Sequence, residues 1–395
     1  MAGTELNNKL STLSTKIKTL TGSSGTLSLE TMGNKLQEAS DDKDALMTAI
    51  AGKGVTVSNK SIAAAGDYIR DIEAGFPNGT VWTQSNITSG SFEYLTYANG
   101  KWVACSSNDD GLYYSIDGKT WTLSNITSGY FYHCANANGL WVACGSEKGL
   151  YYSTDGKTWT QSNVNSIDTY YASYANGIWV ACVESVSINY SPSTPGLYYS
   201  IDGRTWTLIN STDYFSGRTA VYANGIWVAG ANTGLYYSTD GKTWTKSNIT
   251  SNIQYCENAN GIWVACGGST GLYYSTDGKN WTQSNITSRN FKHCAYANGI
   301  WVACHRSEKG LYYSTDGKTW TQSNITSGDF FCCANANGIW VACGDPTGLY
   351  YSIDGKIWTQ SNMTNAAYYC ANGNGIWVAS SKSSKGLYYS VTWEP

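Results

Sequence analysis

Charge is scarce in this chain: Asp, Glu, Lys and Arg together make up 13% of its 395 residues, about half the share usual in soluble proteins. The five arginines are Arg70, Arg204, Arg218, Arg289 and Arg306, and the formal net charge is −3. That balance argues against non-specific nucleic-acid binding, whose affinity comes from Lys and Arg on phosphates. No run of 18 apolar residues occurs, so no membrane-spanning helix is expected. The opening Met-Ala-Gly-Thr-Glu lacks the basic and apolar regions of a secretory signal, and synthesis in a cytoplasm is expected. Histidine is equally rare. Any Ser-His-Asp or Cys-His catalysis would have to use His133, His293 or His305, each in a stretch that varies between repeats. No CxxC spacing announces a zinc site, and neither a metal nor a cofactor is expected.

What is abundant is Gly (42), Tyr (31) and Trp (17), a profile suited to repetitive β-structure with tight turns and ring packing rather than to a disordered chain. Two phrases account for nearly all the Trp. Asn-Gly-x-Trp-Val-Ala places Trp at 102, 141, 179, 227, 263, 301, 340 and 377; Gly-Leu-Tyr-Tyr-Ser-x-Asp-Gly-Lys-x-Trp places it at 121, 159, 206, 244, 281, 320 and 358. A fixed period of about 38 residues signals a solenoid or a propeller. Asn-Gly and Asp-Gly are strong hairpin signals, because both pairs tolerate positive φ. Each repeat therefore reads as four strands, with the first turn joining A to B and the second joining C to D.

The ends decide between open and closed. The last repeat stops at Gly386-Leu-Tyr-Tyr-Ser390 without Asp-Gly-Lys, while Asn78-Gly-Thr-Val-Trp82 supplies the missing half. The expected fold is an all-β, eight-bladed β-propeller of four-stranded repeats over residues 76–395. Strand 78–86 closes it against the last blade, which removes an exposed sheet edge. A small α-helical region, residues 1–75, precedes it.

Six of the twelve cysteines follow Trp-Val-Ala, at 105, 144, 182, 266, 304 and 343; Cys134, Cys256, Cys294 and Cys333 lie ten residues before four of them. Bridges across a hairpin are conceivable. Leu95, Ala172, Gly230 and Ser380 take the same places in other repeats, however, which is how reduced, space-filling thiols behave. Asn-Ile-Thr, at 86, 125, 248, 285 and 324, matches glycosylation sequons but reads as turn chemistry whose side chains bond nearby backbone.

Ser-x-Asp-Gly-Lys-Thr-Trp, with Asp117, Asp155, Asp202, Asp240, Asp277, Asp316 and Asp354, resembles the Asp-box repeat of sialidases and sortilin-type propellers, one residue shorter than that family's usual box. The resemblance covers about four fifths of the chain. It implies a propeller whose boxes are folding elements on the C–D turn, away from the active face. The family's arginine triad and Arg-Ile-Pro motif are missing, so no enzyme is expected, and a glycosidase carboxylate pair is the weakest reading.

In the N-terminal region, Leu6, Leu10, Leu13, Ile17 and Leu20 follow a 4-3-4-3 spacing, a short coiled-coil seam that would allow a homotrimer. Further helices are expected from about Ser28, from about Asp41, and from Ser58 to Glu73. With Lys53-Gly-Val-x-Val57, this segment resembles the attachment regions of phage tail and fibre proteins. That resemblance implies docking to a virion.

Because strands alternate direction, the recurring turns share one rim, and the D–A and B–C connections share the other. Variation concentrates in the second group. Six residues before each Asn-Gly stand Glu93, Tyr132, Tyr170, Arg218, Gln254, Lys292, Phe331 and Tyr368, a mixture no single buried environment suits, so solvent exposure is expected. The next column reads Tyr94, His133, Tyr171, Thr219, Tyr255, His293, Cys332 and Tyr369, and two residues further small or apolar side chains are expected to enter the core. His305 and Arg306 stand in a variable B–C loop. Rigid rings on a rim suit sugars or protein epitopes. The expected function is a virion receptor-binding protein that engages a bacterial surface glycan or protein; a structural virion component is the alternative.

Overall fold

A computed structural model of the chain describes residues 79–184, 196–209, 216–307, 310–381 and 385–390. They form thirty-two strands, β1–β32 in chain order, arranged as eight antiparallel four-stranded sheets. Blade 1 shows the plan: β2 (Phe92–Ala98), β3 (Lys101–Ser106), β4 (Leu112–Ser115) and β5 (Trp121–Leu123), hydrogen-bonded in that order. The innermost strands of the following blades are β6 (Phe131–Ala137), β10 (Asp168–Ala175), β14 (Gly217–Ala223), β18 (Ile253–Ala259), β22 (Asn290–Ala297), β26 (Asp329–Ala336) and β30 (Ala367–Gly373). Each touches the next, and β30 touches β2, so the ring is closed.

Local chemistry fixes the turns. In blade 1 Asn99 and Gly100 both take positive φ, 50° and 72°, which only such a pair adopts without strain. In the C–D turn the Ser115 hydroxyl donates to Asp117 at 2.9 Å, and the amides of Lys119 and Thr120 donate to the same carboxylate oxygen at 2.9 and 2.7 Å. The carboxylate is thus consumed by its own turn. In the blade 4 copy, partial burial works against the charge, but the amides of Thr243 and Lys242 outweigh it and hold Asp240 at about 2.

Between blades lies the core. Val103, Cys105 and Leu112 of blade 1 pack against Phe131, Cys134, Trp141 and Ala143 of blade 2, and comparable clusters fill the other junctions. Truncating a middle-strand Trp such as Trp301 to Ala would cost about 3–5 kcal/mol.

Several expectations are corrected. Among the described residues no helix occurs, so the described fold is β-strand throughout; the helices expected in residues 1–75 lie outside the described residues. The closing strand is β1, Trp82–Gln84, shorter than 78–86; it pairs antiparallel with β32 (Leu387–Ser390), Trp82 opposite Ser390. Cys134 stands opposite Ala143 rather than Cys144, and its neighbour is Cys105 of the preceding blade. The twelve cysteines are unbridged and buried. The sequon asparagines bond across blades rather than locally. Asn86 accepts from the backbone N–H of Trp121 at 2.8 Å and donates to its carbonyl at 2.9 Å, although Trp121 is 35 residues away in sequence.

Candidate functional site

The site begins with a break in register. Down β2, pairing with β3 passes from Phe92–Ser106 directly to Tyr94–Cys105, leaving Glu93 as an extra residue. The same bulge recurs in every blade and leaves out Tyr132, Tyr170, Arg218, Gln254, Lys292 and Phe331 in turn; in blade 8 it takes both Tyr368 and Tyr369. A bulge re-aims the side chain it releases. Eight bulges at one level of eight inner strands therefore bring eight side chains into one ring. The variable connections share that rim, as Ser107 N–H donating to Ser91 O at 2.9 Å and Gly111 N–H to Gly129 O at 3.2 Å show.

Around the ring, Tyr132 and Tyr170 stack at 4.5 Å and 15°, and the Arg218 guanidinium lies over Tyr170 at 5.6 Å. Lys292 donates to Gln254 at 2.8 Å. Phe331 stacks on Tyr368 at 4.9 Å, with exposed Arg306 over the Phe331 ring at 5.9 Å, and the Tyr368 hydroxyl meets Glu93, which joins blade 8 to blade 1. These side chains are half-buried, and Phe331 is buried, where solvent exposure was expected; the inner ends of the blades crowd them against one another. Burial, and then the positive charges of Arg306 and Arg218, push the Lys292 amine down to about 8, while Glu93 pulls the other way. Burial, and then the Glu93 charge, push the Tyr368 hydroxyl up.

One residue deeper runs a second ring. Tyr94 contacts Tyr369 at 4.3 Å and His133 at 4.1 Å, His133 contacts Tyr171 at 4.1 Å, and Tyr255 contacts His293 at 4.3 Å. The two histidines occupy equivalent places with opposite behaviour. Burial drives His133 down to about 3. For His293 burial acts in the same direction, but the negative charge of Cys332 and Cys333, as thiolates beside it, prevails and raises it to about 10. His305 is not part of either ring; it is buried edge-on against Phe291 at 5.1 Å.

Sequence reasoning missed Glu257. It stands two residues past the second ring, where small or apolar side chains were expected, and accepts a hydrogen bond from the Tyr255 hydroxyl at 3.0 Å. Burial raises its carboxyl, although the Tyr255 bond and His293 oppose that. The signal was present: the other repeats carry Thr96, Ala135, Ser173, Val221, Ala295, Ala334 and Ala371 at that place.

No protein-family model matches the chain, and no relative is found among curated proteins. Solved structures show the fold. The computationally designed Ika8 protein matches with a TM-score of 0.62 at 10% identity, over 80% of this chain and 100% of that one. BamB from Moraxella catarrhalis matches with a TM-score of 0.56 at 8% identity, over 80% and 98%. YCF48 bound to D1 peptide matches with a TM-score of 0.50 at 14% identity, over 81% and 98%. The chain is similar to these propellers in fold, with a shared architecture of four-stranded blades.

Proposed function

We propose that this is a virion receptor-binding protein whose bulge ring engages a bacterial surface glycan, with residues 1–75 carrying the attachment to the virion assembled in the host cytoplasm. One observation carries the reading: the bulge of every blade sends a side chain into a single ring that mixes stacked aromatic pairs with Arg218, Lys292 and Glu93. Flat rings offer the C–H faces of sugars a platform at low entropy cost, and the cations and amide offer partners for hydroxyl and acidic groups. The seven intact Ser-x-Asp turns support a folding role for the Asp-box-like phrase and leave the opposite rim to binding. A protein epitope is the second ligand class, favoured by the peptide bound to the structurally similar YCF48. Display of several copies on one particle would strengthen weak contacts.

The test is binding of the full chain to a panel of bacterial strains and to a glycan array. Tyr132→Ala combined with Tyr170→Ala removes one stacked pair and is expected to weaken binding at least tenfold, with the thermal midpoint little changed. Binding to no strain and no glycan would favour a structural virion component. Turnover of a host polysaccharide would favour a glycosidase.

A further inference from the structure

At every junction between blades three positions meet: the second-ring residue of one blade, the residue after its Trp-Val-Ala, and the buried inner-strand residue of the next blade. In blades 2 and 3 these are His133, Cys144 and Ala172, and the Ala172 amide points at the imidazole Nδ1 at 3.5 Å. Between blades 6 and 7 they are His293, Cys304 and Cys333. Here all three carry soft donor atoms, and the imidazole nitrogen and the two sulfurs lie within 4.8 Å of one another. Cys333 Sγ is 3.7 Å from His293 Nδ1, close to the separation that two ligands of one small cation adopt. Both thiols are buried, and the three residues come from three strands locked by the blade registers, β22, β23 (Ile300–Arg306) and β26.

We propose that His293, Cys304 and Cys333 form a binding site for a thiophilic d10 cation, Cu(I) in particular. Thiolate and imidazole select soft metals. Among the described residues no fourth His, Cys, Asp or Glu joins the group. Zinc in a structural site asks for four ligands, whereas three donors satisfy Cu(I). Binding releases the protons that the two thiols and the imidazole hold between them as two Cu–S bonds and one Cu–N bond form, and the metal ties blade 6 to blade 7 without a change of oxidation state. The next junction is the competing locus, because Cys332, Cys343 and Cys370 share one core cluster there.

The repeats supply variants that other blades already accommodate. Tyr stands at the His293 place in four blades, Ala at the Cys333 place in two, and Ser380 at the Cys304 place in one. The reduced full chain is titrated anaerobically with Cu(I) against a chromophoric chelator. One tight equivalent with sulfur-to-copper absorption is expected, weakened at least a hundredfold by His293→Tyr and by Cys333→Ala, and unchanged by Cys343→Ser. Circular dichroism and thermal midpoints establish that each variant is folded, with Cys304→Ser as the substitute if either is not. Equal competition by the variants, loss of the tight equivalent in Cys343→Ser, or a Cys304–Cys333 disulfide in freshly isolated protein would overturn the site.

Discussion

At the scale of single residues, the second ring shows how a neighbour decides a charge. His133 sits between Tyr94 and Tyr171 with no thiol equivalent to Cys333, since Ala172 takes that place. Its folded value is about 3 against 6.5 in the open chain. Between these values the unfolded chain binds the extra proton, so stability present above pH 6.5 falls as the pH drops, by up to about 1.4 kcal/mol per pH unit. His133→Tyr, which copies four other blades, removes this dependence. Chemical denaturation at pH 7, 6, 5 and 4.5 should show the variant losing less stability than the parent as the pH falls, with Glu257 and the turn aspartates contributing equally to both. Parallel profiles would mean that His133 is not held neutral. Lys292 has its own window: with its folded value near 8 against 10.5 unfolded, it makes stability rise with pH between those values.

At the scale of elements, the inter-blade clasp recurs at seven junctions among the described residues. Asn285 accepts from Trp320 N–H at 2.8 Å and donates to Trp320 O at 2.9 Å, and the clasps of Asn125, Asn163, Asn248 and Asn324 repeat the geometry. Asn285→Ala deletes two hydrogen bonds to half-buried backbone, a loss of about 1–3 kcal/mol that a thermal melt will register. The glycine before Leu-Tyr-Tyr is under a stricter demand in every blade but the third, where Gly196 meets only a side chain. At Gly310, with φ +74°, a Cβ would stand 1.9 Å from the carbonyl oxygen of Ile325. Gly310→Ala must therefore move backbone, and its thermal midpoint should fall well below that of Gly299→Ala, whose Cβ would meet nothing. These elements also show what a sequence discloses. Strands, hairpins and the split repeat were legible because Asn-Gly and Asp-Gly act on their own neighbours. The membership of both rings was legible as two variable columns. The bulges were not, because a bulge exists only in the register with a second strand. Nor were the clasps or the Cys105–Cys134 neighbourhood, whose partners lie in the adjoining blade; for the internal clasps the separation runs from 33 to 43 residues.

At the scale of the whole molecule, one blade differs from the rest in how it is held. Blades 1 to 7 carry their outer strands on the same stretch of chain as their inner ones, whereas blade 8 borrows β1 from the other end of the propeller. The borrowed strand reproduces the local bonds. Asn362 clasps Trp82 at 2.7 and 3.0 Å, across 280 residues, and Trp82 Nε1 donates to Gly79 O at 3.0 Å as the indoles of Trp121, Trp244, Trp281, Trp320 and Trp358 do in their own turns. Equal bonds need not have equal consequences, because breaking this set leaves blade 8 three-stranded and the junction of Phe92, Leu95 and Trp102 with Val378 and Leu387 without the outer strand that ties the two ends of the chain together. A matched pair of substitutions separates the local loss from the topological one. Ser85 N–H donates to Leu387 O at 2.9 Å at the seam, and Ser284 N–H donates to Leu272 O at 2.8 Å within blade 5; each Ser hydroxyl also accepts from the amide two residues on. Proline at either place deletes the same backbone donor. Ser85→Pro should be the more destabilising by at least about 1 kcal/mol, because it lets the ring open rather than one edge fray. Hydrogen exchange reads the difference directly: Ser85→Pro should speed exchange along 376–381 and 387–390 and into β2, while Ser284→Pro should stay confined to its own blade. Equal midpoints and equally local exchange would show that packing between blades, not the borrowed strand, keeps the ring shut.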